Sequence, residues 1–133
     1  MSVIRFSISL EEELLGELDN YVRNNNFSNR SRGLRHLIEK NIVEQKWQCN
    51  NIVAGAVVMI YDHHKKDILA RSNDIQHDYF SVILSSQHYH LDHDMCMEII
   101  AVKGKAKILT ELADMLISIK GIRHGKLLMS KAE

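Results

Sequence analysis

Residues Ile4 to Leu10 read Ile-Arg-Phe-Ser-Ile-Ser-Leu, a strict alternation that constrains the fold more than any other stretch of the chain. In an extended backbone Ile4, Phe6, Ile8 and Leu10 share one face, and Arg5, Ser7 and Ser9 share the other. A single strand carries unpaired backbone groups along its edges, so ahead of two short helices it needs a partner strand. Two copies pairing antiparallel about a two-fold axis would bury Phe6 and Ile8 on the helices. They would present Arg5, Ser7 and Ser9 from both chains on one surface.

The helices follow at once. Ser9-Leu-Glu-Glu12 has the form of a capping box, and Glu11, Glu12 and Glu13 stand where a helix N-terminus favours negative charge, which predicts a first helix starting here. Leu14, Leu15, Leu18, Tyr21 and Val22 recur at helical spacing, and Asn24, Asn25 and Asn26 stop the pattern near Arg23. A second helix is entered through Ser28-Asn29-Arg30-Ser31, with Leu34, Leu37, Ile38 and Ile42 as its buried stripe. The polar stretch from Gln45 to Asn51 reads as a linker, with Trp47 able to pack on either side.

Beyond it, Ile52 to Tyr61 is almost continuously apolar and predicts a central strand. His63 to Ile75 reads as a short amphipathic helix with Ile68, Leu69 and Ile75 inward. Tyr79 to Tyr89 and Met95 to Val102 read as strands joined by a turn at Asp92-His93-Asp94, with Lys103-Gly104 ending the second. Lys105 to Lys120 regains helical spacing, and Lys126 to Ser130 forms a last strand. The order β-α-β-β-α-β is the ferredoxin-like arrangement.

Composition limits what these parts can do. The chain has 133 residues, 45% of them apolar, which suits a globular protein. An N-terminal unit of about 45 residues buries too little surface to stand comfortably alone, so it is expected to dimerise. Seventeen basic and 17 acidic residues give no net charge. Any contact with nucleic acid must therefore come from local placement. No apolar run suits a signal peptide or a membrane span, so a cytoplasmic location is expected. Cys49 and Cys96 are too far apart in sequence to suggest a disulfide.

The paired strand would fit the major groove of double-stranded DNA. Arg5 can reach guanine O6 and N7, Ser7 and Ser9 can meet several base edges, and Arg30 with the amides near Ser28 to Ser31 can hold a phosphate. Alternation alone usually marks the solvent face of an edge strand. The two helices that follow it in so short a unit shift the balance, and these first 45 or so residues resemble the ribbon-helix-helix repressors.

A second chemistry lies in the other half. His88 and His90 fall on one face of a strand, and a turn can bring Cys96 alongside. Imidazole nitrogen and thiolate sulfur both suit late first-row metals. His77 could join only by folding back or from another subunit, and spacing leaves both open. Glu98 shares the face of Cys96 and is a candidate to orient an imidazole. Of the eight histidines, His63 and His64 read as solvated, His93 as a turn residue whose nearness to the cluster leaves a minor-site role open, and His36 and His124 as surface or partly packed groups. Three nitrogens and one sulfur fit tetrahedral zinc or a square-planar Ni(II) or Cu(II) ion. No nucleophile with its base, phosphate loop or acid–base pair accompanies these ligands, which argues against an enzyme. The rivals are a metalloenzyme or metal carrier, a regulator of the same fold that answers copper, cobalt or zinc, and a metal-independent repressor with a small organic effector.

Arg-Phe-Ser-Ile-Ser-Leu, Ser-Asn-Arg-Ser, Gln76-His77 and the block from His88 to Glu98 together resemble the nickel-responsive transcriptional regulators over essentially the whole chain. The resemblance implies an α+β protein with a ribbon-helix-helix domain (βαα) over residues 1–47 and a ferredoxin-like, ACT-type metal-binding domain over 48–133. It implies that His88, His90 and Cys96 of one subunit and His77 of another complete a square-planar Ni(II) site in a homotetramer, a dimer of dimers. It also implies repression of nickel-uptake genes through a palindromic operator. Many relatives have acidic residues where this chain has Arg32 and His36, so a cation site between the domains is not carried over. Asp78-Tyr79-Phe80 replaces a His-rich run, and an extra external metal site is not expected.

Overall fold

The computed structural model describes residues 2–132, which divide into two units, one reaching Asn41 and the other starting at Ile42. In the first, α1 spans Glu12–Asn24, and α2 begins at Arg30. Residues 2–11 join no ladder within the single chain, and Ile4 and Phe6 are 84% and 74% exposed. Their apolar side chains border an open groove with Leu34 and Ile38. The stripe expected to be buried on α2 is instead solvent-facing at Leu37, Ile38 and Ile42, because nothing within one chain covers it.

The start of α1 differs from the sequence expectation. Its cap is Glu11 in extended backbone with no side-chain cap bond, so the Ser9 capping box does not form. Its end is built by asparagine: Asn26 adopts φ 57°, and the amides of Asn25, Asn26 and Phe27 reach back to the carbonyls of Tyr21, Arg23 and Val22. Asn29 then accepts a bond from the Arg32 amide at 2.9 Å, which caps α2. Between the helices, the rings of Tyr21, Phe27 and His36 gather, with Tyr21 donating its hydroxyl to His36 Nδ1.

Helix α2 continues to Gln48, through half of the stretch whose polarity suggested a linker. Polar residues there lie on its exposed side, while Trp47 is buried and donates Nε1–H to the Ser130 carbonyl at 2.8 Å. The connection shrinks to Cys49–Asn51, with Asn50 at φ 55°.

The second unit is a four-stranded antiparallel sheet in the order β2-β3-β1-β4. Its elements are β1 (Ile52–Asp62), α3 (Lys66–Asp78), a 3-10 turn (Phe80–Val82), β2 (Ile83–His90), β3 (Met95–Lys105), α4 (Ala106–Ile117) and β4 (His124–Lys131). The ferredoxin-like order is as the periodicity predicts; several limits are not. Helix α3 lies three residues later than expected and carries Leu69 outward, because Ile68 and Ser72 form its buried face. Tyr79 to Val82 turns rather than extends, and β3 runs past Gly104. A Cβ at Gly104 would lie 2.7 Å from a Val82 methyl, so glycine here serves close packing rather than chain termination.

One sheet face carries Val53, Val57, Met59 and Tyr61 of β1 with Ile100 and Val102 of β3, and it packs on Ile68 of α3 and Leu109, Leu112 and Leu116 of α4. Trp47 joins this core. The opposite face, with Val58, Ile60, Met97 and Ile99, stays half-buried, and Leu128 on it is exposed. Between β2 and β3 the register shifts around Leu84, where Ile83 faces Val102 but Ser85 faces Ala101.

Gly55 sits in β1 where an added Cβ would lie 2.3 Å from the Leu128 carbonyl oxygen. Gly55→Ala should therefore destabilise the second unit by about 1–3 kcal/mol, measured as a lower urea midpoint with an unchanged slope.

Candidate metal centre

The last four residues of β2 and the first four of β3 set the geometry. His90 stands directly opposite Cys96, and His88 directly opposite Glu98. Directly paired residues project to the same side of a sheet, so two imidazoles, one thiol and one carboxylate share a face. It is the face that packs on the helices, but at the outer strand the helices no longer cover it. His88 and His90 are consequently exposed, while Cys96 and Glu98 on the inner strand are buried.

Glu98 is fully buried and saturated with donors. Tyr61 donates its hydroxyl at 3.0 Å to one oxygen; Gln76 and Ser86 each donate at 2.8 Å to the other. His88 Nε2 lies 3.5 Å from that second oxygen. The carboxylate thus lies beside an imidazole on the face that strand alternation assigns to both. Tyr61 and Gln76 were not evident from the sequence: Tyr61 is opposite Cys96 across the other edge of β3 and enters the cluster only once the sheet order is known. Burial, and then the neighbouring Glu98, push the Tyr61 hydroxyl well above its ordinary range. Burial also pushes the Cys96 thiol up, against the bond with Tyr61 that lowers it.

His77 belongs to the last turn of α3 rather than to a loop before the strand. Its neighbour Gln76 points at Glu98, and successive helical residues diverge by about 100°. His77 is accordingly exposed. The side-chain atoms of His88, His90 and Cys96 share a face without all lying within 4.8 Å of one another; among the described residues the group that does is His64, His93 and Asp94. His90 packs its ring edge-on against His63, with centroids 4.9 Å apart.

In the first unit Arg5, Ser7 and Ser9 are exposed. Arg30, expected at a phosphate, forks onto Asp19 with bonds of 2.8 and 3.0 Å. That hydrogen bond holds the Asp19 carboxyl below its usual range.

The family described as NikR C terminal nickel binding domain matches residues 54–130. Relatives of nearly equal length carry the name nickel-responsive regulator. One from Syntrophus aciditrophicus is 45% identical over 96% of this chain and 93% of its own length. Others, from Chlorobium phaeobacteroides and Thermococcus kodakarensis, are 44% and 43% identical over 98% of this chain and 98% and 95% of theirs. Among solved structures, uncharacterized protein TM1266 from Thermotoga maritima superposes with a TM-score of 0.54 at 18% identity, covering 61% of this chain and all of that one, which is a likeness of fold alone.

Because Cys96 is buried with a raised thiol pKa while Cys49 is exposed, iodoacetamide should modify Cys49 at least about tenfold faster in the metal-stripped protein. Peptide mass spectrometry over a time course reads the two rates, and equal rates would contradict the burial described here.

Proposed function

The chain belongs to the nickel-responsive regulators and carries their C-terminal nickel-binding domain, and from that premise we propose that nickel held by His88, His90 and Cys96 of one subunit and His77 of another governs its grip on DNA. The observation that carries this reading is the register of β2 on β3, which sets His90 against Cys96 with His88 beside the anchored Glu98. The donor set fits the ion: two imidazoles and a thiol on one face offer the nitrogen and sulfur that Ni(II) prefers. The bound ion supplies a cross-link between chains, and no reaction is asked of it.

His77 suits a contribution to another subunit because it is turned to solvent at the end of α3. Two uncovered apolar surfaces favour a dimer of dimers. The groove along Ile4, Phe6, Ile8, Leu34 and Ile38 would receive the same groove of a second copy, pairing the 4–10 segments into a ribbon. The half-buried sheet face with Val58, Ile60, Met97 and Ile99 would be covered by assembly of the second units. We place the functional boundary between DNA-binding and metal-binding parts near residue 47.

On DNA, Arg5, Ser7 and Ser9 of both chains would read base edges of a palindromic operator, and Arg30 would exchange Asp19 for a phosphate. Repression of nickel-uptake genes follows when the holo form occupies the operator. The ion can shift the protein toward the DNA-competent state only by its differential affinity for that state.

Nickel added to the apo protein should produce a sulfur-to-metal charge-transfer band, and Cys96→Ser should abolish both the band and nickel-dependent retention of operator DNA in a gel shift. Nickel-dependent retention that survives Cys96→Ser would refute the mechanism. Arg5→Ala should cost about 1–3 kcal/mol of discrimination between operator and random DNA, read by competition gel shift, with unchanged nickel binding.

A further inference from the structure

Antiparallel pairing of β1 with β3 brings the segment after one strand against the segment before the other. Tyr61 faces Cys96 and Asp62 faces Met95, so His63 and His64 meet the turn that contains His93 and Asp94. The His63 amide bonds to the Asp94 carbonyl at 3.0 Å. His63 Nε2–H donates to the His93 carbonyl at 2.7 Å, which uses that nitrogen and fixes the ring. His64 stacks on His63 at 4.1 Å, and its own amide donates to Asp62 at 2.9 Å. The turn is locked separately, by Asp92 accepting from the amides of Asp94 and Met95 at 2.9 and 2.8 Å.

The result is three potential ligands held by backbone constraints on both sides. His64, His93 and Asp94 each offer an atom within 4.8 Å of the other two, and His64 Nε2 already lies 3.5 Å from Asp94 Oδ1. We propose that these three side chains form a second metal site, distinct from the His88, His90 and Cys96 centre, which takes a divalent transition metal with water completing its shell. Two imidazoles and one carboxylate suit zinc, nickel, cobalt or copper rather than calcium or magnesium.

The site is exposed and has fewer protein donors than the thiolate centre, so it fills at higher metal concentration. Its position gives it a consequence. The turn at 91–94 is the connection between His90 and Cys96, and a metal on His93, Asp94 and His64 pins that turn to the end of β1. His63 links the two places physically, through its bond to His93 and its edge contact with His90.

The test is equilibrium dialysis of the full-length protein against Ni(II) alone, with metal counted by atomic absorption. About two ions per chain are expected for the wild type and about one for His64→Ala/His93→Ala, with the charge-transfer band retained in the double variant. The same substitutions are then placed on Cys96→Ser. An ion that survives Cys96→Ser and is lost on adding His64→Ala/His93→Ala supports the second site, whether or not the thiolate centre proves to control DNA binding. A Cys96→Ser protein that binds no ion, or one whose count is unchanged on adding His64→Ala/His93→Ala, overturns it.

Discussion

A carboxylate with no exposure to solvent sits at the centre of the second unit, and the arrangement around it depends on how its charge is met. An ionised group taken out of water is costly unless its lone pairs are satisfied. Glu98 solves this by drawing one donor each from β1, α3 and β2 while itself standing on β3. Four elements are thereby tied at one point, and hydrogen bonds to a charged acceptor are the stronger kind. Gln76 is the tie from α3, and it is also held by Ser72 one turn earlier. The helix carrying His77 is therefore fixed to the strand carrying Cys96 by a short polar chain, not by packing alone.

The two units meet the burial problem differently. The second has a complete core on one sheet face, built from β1, β3, α3 and α4 and closed by Trp47. Among the described residues the first has one buried hydrophobic residue of its own in Leu18, and leaves Ile4, Phe6, Ile8 and Ile38 facing solvent. An isolated unit of that size does not satisfy its own sequence pattern. The alternating segment 4–10 pairs with no strand among the described residues.

Much of the fold was legible because period and length sufficed: β1, the start of α4, the turn at 92–94 and the end of α1 stand where the pattern put them, while α4 stops at Ile117, three residues short of Lys120. The errors have physical causes. Ser9 looked like a cap, yet the chain stays extended until Glu11, so a matching spacing did not make a matching geometry. Gln45 to Gln48 looked like a linker because its residues are polar, but polarity on one side of a helix with Trp47 on the other is amphipathicity. Leu37 and Ile42 were read as buried from periodicity, which reports the apolar side of a helix but not whether a partner is present. For the metal centre, His88, His90, Cys96 and Glu98 could be placed on one face from strand alternation. Tyr61, Gln76 and the grouping of His64 with His93 needed the sheet order, since contacts across 22 to 37 positions leave no local signature. Once β1 is known to lie beside β3, the meeting of residues 63–64 with 93–94 follows from the strand ends.

The extra residue around Leu84 has an effect out of proportion to its size. Extending the pairing of Ile83 with Val102 without the shift would set His88 against Met97 and His90 against Met95, on the far side of the sheet from Cys96. Strand alternation makes a one-residue slip an inversion. Two imidazoles would then face away from the sulfur although every proposed ligand was still encoded. An in-frame loss of Gln87, which would set His88 against Ile99 and His90 against Met97, would be an uncoupling lesion silent to any inspection of ligand identity, whereas loss of Leu84 itself would remove the bulge and keep His90 opposite Cys96.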